Sequence, residues 1–235
     1  VLDIDETRQA EFKQATGDGK RIRFFLGDVR DKERLEYAVE GVDIIFHAAA
    51  LKHVEACEYN PFEAIKTNVI GTQNLIDVAI REEVQKVIFT SSDKAVNPTN
   101  VMGTTKLLCE RLITAANYYR GARDIIFSSV RFGNVLGSRG SVVFVFREQI
   151  QNGGPLTITD PNMTRFVMPM PQALKLLFKA TQMAQGGEVF IFKMPAAKVL
   201  DIAKVMIESL APKFGYRPNK IKVKKIRRNE KWEYL

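Results

Sequence analysis

Short, nearly unbroken apolar runs alternate along the chain with longer stretches whose apolar residues recur every three or four positions. Residues 21–26 (RIRFFL), 42–47 (VDIIFH), 84–90 (VQKVIFT) and 124–130 have the length and composition of strands. Residues 31–39, with Leu35, Ala38 and Val39 on one face and Asp31 as N-cap, predict a helix. So do 61–81, with Ile65, Val69, Leu75, Ile76 and Ala79 among the apolar positions, and 104–119. Strands that are apolar throughout and are separated by helices predict a parallel sheet covered on both faces. Polar and small residues collect just after each strand, at Asp28, at 48–52, at 91–94 and at 133–138. In an open α/β sheet this carboxyl edge is where ligands bind. Taken one at a time, many such residues would be no more than turn formers.

After Gly140 the texture changes. Gly153-Gly154-Pro155, Asp160-Pro161-Asn162 and a cluster of Met and Pro between 163 and 171 predict loops and short strands. Helices are expected over 172–183 and 198–210. The chain is therefore read as a Rossmann-like doubly wound parallel sheet over 1–138 and a smaller C-terminal lobe over 139–235, part of which returns to the first domain.

Composition changes this picture only in part. With 46% hydrophobic residues the chain can bury a sizeable core, which excludes a disordered tail. The formal charge is +8, but residues 217–231 hold eight Lys or Arg against Glu230 alone, a local +7. The remaining surface is close to neutral, and the charge argument for nucleic-acid binding goes with it. Two cysteines, Cys57 and Cys109, have neither a disulfide pattern nor metal-ligand spacing, and they suit a reducing compartment. No apolar run reaches membrane-spanning length, and Asp3, Asp5 and Glu6 break any signal-like stretch at the start.

A dinucleotide fold begins with a strand, a Gly-rich turn and a helix whose N-terminus takes the pyrophosphate. No such turn is present: Gly17-Asp18-Gly19 lies in a polar loop, and Gly137-Ser138-Arg139-Gly140 follows a late strand. The first strand–helix unit is expected ahead of Val1, because Val1-Leu2-Asp3 reads as the end of a second strand. There an acidic residue accepts a hydrogen bond from the adenosine ribose.

Several long segments occur together in order: GDVRD at 27–31, FHAAALKHV at 46–54, EYNPFEAIKTNVIGT at 58–72, SSDKAVNPTNVMGTTK at 91–106, RFGNVLGSRGSV at 131–142 and TRF at 164–166. On these the chain resembles an extended short-chain dehydrogenase/reductase of the polysaccharide-biosynthesis branch, the nucleotide-sugar dehydratases and epimerases. Most relatives carry Tyr and Lys four apart on one helix face. Here Lys106 is present and Met102 stands in place of the Tyr. A thioether relays no proton, so the ordinary dehydrogenase chemistry is removed. The pattern is similar to inverting UDP-N-acetylglucosamine 4,6-dehydratases.

The resemblance implies roles for individual residues. Hydride leaves sugar C4 for the nicotinamide and later returns to C6, and the 4-keto sugar formed between has an acidified C5 proton. Lys94, neutral at that step, removes this proton, while Asp93, protonated, helps the C6 hydroxyl leave as water. Ser92 matches a hydroxyl that bonds the C4 oxygen, and Lys94 or a water chain through Ser92 is left to take the C4 hydroxyl proton. Taken without these neighbours, Asp93-Lys94 would read as a solvated turn. Asp3, Asp28, Val29, Ala48, Ala49, Ala50, Lys52, Asn68 and Lys106 fall at cofactor positions. The cofactor is NAD or NADP, with NAD favoured, since Asp3-Ile4 stands where relatives often carry Ser-Arg and a carboxylate repels a 2′-phosphate.

Asn134, Ser141, Val142, Thr157 and Arg165 match the UDP-sugar site, where the planar Arg fork suits a diphosphate. Arg227-Arg228-Asn229-Glu230-Lys231 resembles a family turn, Arg-Pro-Gly-Glu-Lys, with Pro and Gly replaced. His47 is expected at the end of a buried strand, without a catalytic role. The expectation is a cytoplasmic, homo-oligomeric UDP-sugar 4,6-dehydratase without metal, nucleic-acid partner or membrane segment. A UDP-sugar 4-epimerase and a non-catalytic UDP-sugar-binding homologue are the alternatives.

Overall fold

The chain opens on β1 (Leu2–Asp3), continues through α1 (Glu6–Thr16) and returns as β2 (Phe25–Leu26), parallel to β1 with Asp3 opposite Leu26. The computed structural model describes residues 1–17, 21–138 and 140–226. Asp5 caps α1 by accepting the Arg8 N–H, and Gln9 Nε2 ties the helix to the Asp3 and Phe25 carbonyls at 2.9 and 2.6 Å. None of the residues of α1 is buried. It carries no apolar stripe, so periodicity does not announce it. Of the strand expected over 21–26, only Phe25 and Leu26 pair.

Asp31 caps α2 (Lys32–Val39), whose Leu35 and Val39 are buried. β3 (Ile44–His47) leads into α3 (Val54–Tyr59), a helix outside the elements expected from the hydrophobic pattern, and then α4 (Pro61–Ala64). The long helix expected over 61–81 is continuous but widens into a π turn at Ile65–Ile70 before α5 (Gly71–Arg81). There the Gly71 N–H reaches back to the Lys66 carbonyl. The extra residue of the wide turn lets adjacent Asn68 and Val69 both face inward, where both are buried. β4 (Lys86–Ser92), α6 (Val101–Tyr119) and β5 (Ile126–Phe132) complete the strand–helix alternation.

β3, β4 and β5 are parallel, with Ile45 opposite Val87 and Val87 opposite Phe127. Side chains alternate across a strand. Ile45, Val87, Phe89 and Phe127 therefore share one face, where Leu75, Val78 and Ala79 of α5 and Cys109, Ile113 and Ala116 of α6 cover them. Burying each large side chain here contributes about 1.5–3 kcal/mol. At the edge of this core Glu110 and Arg131 form a two-pronged ion pair at 2.8 and 2.6 Å.

Beyond β5 come β6 (Asn134–Leu136), α7 (Val142–Gln151), β7 (Leu156–Ile158), β8 (Thr164–Pro169) and α8 (Met170–Met183). β9 (Val189–Ile191) joins β5 in parallel as the last strand of the main sheet, whose order is β3-β4-β5-β9. Phe46, on the sheet face opposite Ile45, meets Phe178 of α8 edge-on at 5.8 Å, so helices cover both faces. β10 (Ala196–Lys198), α9 (Val199–Leu210) and β11 (Val223–Lys225) follow.

The chain divides into two compact units. The first is Val1–Phe132 with Leu177–Ile191, and the second is Gly133–Leu176 with the chain from Phe192. The second unit holds a sheet of order β10-β8-β6 and the parallel pair β11-β7. Phe146 and Ile150 of α7, Leu156 and Ile158 of β7, and Val199, Ala203 and Ile207 of α9 form its core. The Arg227 to Lys231 motif and the end of the basic stretch lie outside the described residues.

Candidate functional site

The parallel pairing of β1 with β2 brings Asp3 and Asp28 to one sheet edge, and the Gly27 N–H donates to the Asp3 carbonyl at 3.1 Å. The Asp3 carboxylate accepts the Asp5 N–H at 2.9 Å. Asp28 accepts the Arg30 N–H at 2.9 Å and Arg30 Nε at 2.7 Å, while Arg30 also reaches Glu63. Burial alone would raise the Asp28 carboxyl, but the hydrogen bonds and charge of Arg30 outweigh it and hold the group below its ordinary value. Val29, by contrast, is buried in the core and fills the space beside Gly71.

β3 ends on buried His47, and Ala48 and Ala49 then stand exposed at the sheet edge with Ala50 half-buried. The loop that follows is held from below. Asn68 accepts the Leu51 N–H at 2.8 Å and donates to the Leu51 carbonyl at 3.1 Å. Its nitrogen also donates to Thr105 Oγ1 at 2.9 Å, and Thr105 passes its own proton to the Met102 carbonyl. The Asn68 amide is thus spent on the Leu51 backbone and on Thr105. Lys52 is exposed beside this loop, and partial burial together with the charge of Arg8 lowers its ammonium.

β4 leads into the Ser92-Asp93-Lys94 motif. Its end, Ser92, passes into a single 3₁₀ turn, Asp93–Ala95. Ser92 Oγ donates to Asp93 Oδ1 at 2.9 Å and accepts the Lys94 N–H at 3.3 Å. Lys94 Nζ donates to the same Asp93 oxygen at 3.0 Å. The pair is half-buried, with side-chain exposures of 32% for Lys94 and 20% for Asp93, so it remains accessible to a ligand.

Helix α6 starts on two caps: Asn100 accepts the Gly103 N–H, and Glu58 of α3 accepts the Val101 N–H at 2.6 Å. Lys106 is buried, donates to the Thr90 carbonyl at 2.9 Å and lies 4.6 Å above the Phe89 ring. Burial lowers its ammonium to about 8, against the opposing charges of Cys109 and Glu110. Met102 is buried with Cys57 and Ala64 in a small apolar cluster flanked by Val54 and Val101. Its thioether packs; it offers no proton to a ligand.

In the second unit a cavity of about 330 Å³ gathers Asn134, Ser141, Val142, Thr157 and Arg165, residues from the three strands β6, β7 and β8 and from the start of α7. Ser141 stands at the N-cap of α7 without capping it, so the first turn of that helix opens into the cavity lacking a side-chain acceptor. Helix N-termini favour anions. Asn134 donates to the Phe166 carbonyl at 3.1 Å, and Gln149 holds Thr157 through Oγ1 at 2.7 Å and through its N–H at 3.0 Å.

Sequence reasoning passed over Met163, Val199 and Ile202, which line the same cavity. Val199 and Ile202 sit in the helix expected over 198–210, and Met163 in the Met and Pro cluster expected as loops and short strands. Glu58 and Leu51 were passed over too; only the three-dimensional contact gives them a role. Among the described residues no group of His, Cys, Asp or Glu is placed to hold a metal ion, and no helix is long and apolar enough to cross a membrane.

Residues 1–234 match the family model described as polysaccharide biosynthesis protein. The chain is 60% identical over 226 residues to an uncharacterized membrane protein of Methanocaldococcus jannaschii, which covers 96% of this chain and 68% of that protein. It is 45% identical over 214 residues to a UDP-N-acetylglucosamine 4,6-dehydratase (inverting) of Campylobacter jejuni, covering 91% of this chain and 64% of that one. A UDP-glucose 4-epimerase of Rickettsia canadensis is 41% identical over 231 residues, 98% of this chain and 66% of the relative. Among solved structures, Pen from Bacillus thuringiensis superposes with a TM-score of 0.93 at 47% identity, over 97% of this chain and 69% of that one. The chain thus spans about two thirds of the length of the relatives it matches, and less than that for the Campylobacter enzyme.

Proposed function

The chain belongs to the polysaccharide biosynthesis protein family, and on that premise we propose that it is the greater part of a UDP-N-acetylglucosamine 4,6-dehydratase that inverts C5. The observation that carries this reading is the Ser92–Asp93–Lys94 turn. A base and an acid share one 3.0 Å hydrogen bond at the carboxyl end of β4, in a chain whose helix α6 offers Met102 where a proton-relaying Tyr would be. The 45% identity to the Campylobacter jejuni enzyme, whose name carries the same inversion, supports it.

The edge residues fit a nicotinamide dinucleotide. Small exposed Ala48 and Ala49 leave room for close approach to backbone, Asp3 offers a carboxylate to a ribose hydroxyl, and Lys106 offers a buried ammonium. The dehydratase from Streptomyces venezuelae whose structure holds NAD is similar in fold, with a TM-score of 0.83 at 21% identity. When bound, the cofactor would take hydride from sugar C4 and give it back at C6 after water has left, so that C4 stays a ketone. NAD is preferred to NADP, because Asp3 would repel a 2′-phosphate. The second unit takes the nucleotide: the diphosphate lies against the first turn of α7 and Arg165, and Asn134 and Thr157 line the same cavity.

Once C4 is a ketone, the C5 proton is acidic. Lys94 must be neutral to remove it, and Asp93 must be protonated to let the C6 hydroxyl leave as water. One proton passing from Lys94 Nζ to Asp93 Oδ1 along their hydrogen bond produces both forms and leaves the net charge unchanged. A sugar covering the pair excludes water and lowers the local dielectric, which disfavours the ionised form. Ser92, which donates to the same oxygen, keeps that carboxyl oxygen aimed at Lys94.

A second reading, UDP-sugar 4-epimerase, is supported by the Rickettsia canadensis relative at 41% identity. Mass spectrometry of the product from UDP-N-acetylglucosamine separates them: loss of one water is expected, and an unchanged mass would replace dehydration with epimerisation. The reading places the protein in the cytoplasm, as a homo-oligomer, with nucleotide sugar rather than nucleic acid as its ligand.

A further inference from the structure

Gly103 sits in the first turn of α6, and its N–H donates to Asn100 Oδ1 at 2.8 Å. It is helical, with no positive φ to demand glycine, and glycine is the poorest helix former after proline. The position needs space instead. A Cβ on Gly103 would overlap the carbonyl oxygen of Lys94, and would stand 3.1 Å from Pro98 Cβ and 3.3 Å from Asn100 Oδ1.

The obstacle is backbone, and it belongs to a turn that is already tied down. The Val96 N–H donates to the Asp93 carbonyl at 3.1 Å, the Lys94 N–H to Ser92 Oγ at 3.3 Å, and Lys94 Nζ to Asp93 Oδ1 at 3.0 Å. No side-chain rotation relieves the overlap, so the turn has to move as a unit. Lys106, on the same helix, is anchored to the Thr90 carbonyl of β4 at 2.9 Å. The helix backbone at 103 therefore sets how far the Asp93–Lys94 turn lies from Lys106.

The geometry points to Gly103 as a positioning residue. Its bare backbone lets the Asp93–Lys94 turn rest directly on α6, and it acts on the reaction only through those two side chains. The assignment rests on the reading of Lys94 as C5 base and Asp93 as C6 acid. A displacement approaching 1 Å at a catalytic group costs up to about 100-fold in rate.

The test compares the full chain with its Gly103→Ala, Thr104→Ala and Lys94→Ala variants, using UDP-N-acetylglucosamine for turnover and NADH fluorescence and UDP titration for binding. Thr104 is exposed on the same turn and serves as the control. For Gly103→Ala, kcat is expected to fall at least about tenfold while KM, NADH affinity and melting temperature stay within about twofold or a few degrees. Thr104→Ala keeps the wild-type rate. Lys94→Ala at the wild-type rate, or a wild-type chain with no dehydration, overturns the reading of the site and this proposal with it. An inactive Lys94→Ala beside a Gly103→Ala within twofold of wild type overturns the positioning role alone. A Gly103→Ala chain that fails to fold, or that loses KM and kcat together, makes the residue structural and also overturns it.

Discussion

Asn68 closes on both backbone polar groups of Leu51, accepting its N–H at 2.8 Å and donating to its carbonyl at 3.1 Å. The clamp pins the loop after β3, where Ala48 and Ala49 face outward, to the π turn ahead of α5. Removing one partner from a buried network leaves the others unsatisfied, at about 1–3 kcal/mol for each group. Asn68→Ala is expected to lower stability by about 2–3 kcal/mol in urea unfolding and to weaken NADH binding about tenfold. Asn68→Asp retains an acceptor for the Leu51 N–H but turns a buried carboxylate oxygen toward the Leu51 carbonyl, and should be at least as destabilised as Asn68→Ala. Unchanged NADH affinity in Asn68→Ala would detach the clamp from the cofactor.

Ala49 separates packing from binding. Its side chain is exposed, so Ala49→Leu should leave unfolding free energy within about 0.5 kcal/mol. If the proposed dinucleotide lies against this strand end, a bulky side chain there should cut NADH affinity tenfold or more. Tight NADH binding by this variant would move the cofactor away from the end of β3.

Asp93→Asn tests whether acid and base share a proton. The amide cannot take the Lys94 proton, so Lys94 stays charged. Both dehydration and solvent-deuterium exchange at sugar C5 should then fall by at least about 100-fold. Persistent exchange with lost dehydration would mean that Lys94 loses its proton by another route.

His47 predicts a limb in the acid stability profile. Burial, aided by the charge of Lys106, pushes its imidazole down to about 3 from 6.5. Thr72 Oγ1 gives its proton to the Asn68 carbonyl at 2.5 Å, so His47 Nε2–H, 2.9 Å from that oxygen, is the donor and the ring is neutral. The unfolded chain binds a proton from about pH 6.5 downward while the folded chain does not. Stability is therefore lost as pH falls from 6.5 toward 3, by an amount on the order of 5 kcal/mol in full. His47→Gln, which can still donate to Thr72, should flatten that limb in urea unfolding at about pH 6.5 and about pH 4.5. An equally steep acid limb in the variant would assign it to other groups.

Much of the first unit was legible because its signals are local. Asp31 caps α2 as its place before an apolar periodic stretch predicts, and the strands over 42–47, 84–90 and 124–130 begin and end within two or so residues of their expected limits. α1 escaped because a helix with no buried face leaves no period to read. The strand over 21–26 shrank because an apolar run says nothing about how many of its residues find a partner. The π turn escaped because one extra residue in a wide turn leaves the apolar count of a long helix almost unchanged.

The order of the motifs and the substitution of Met102 for a Tyr are properties of the sequence alone, since they depend only on which residue follows which. Capping, strand length and the polar residues at strand ends belong with them, because a few neighbours decide each. The fold decided what lies far apart along the chain. It gathered Asn134, Ser141, Val142, Thr157 and Arg165 around one cavity, and it closed Asn68 on Leu51. It turned Met102 into the cluster with Cys57 and Ala64, and it seated the Lys94 carbonyl on Gly103. Such meetings follow from the closure of long loops and from the space left when helix meets strand, and no period along the sequence encodes either.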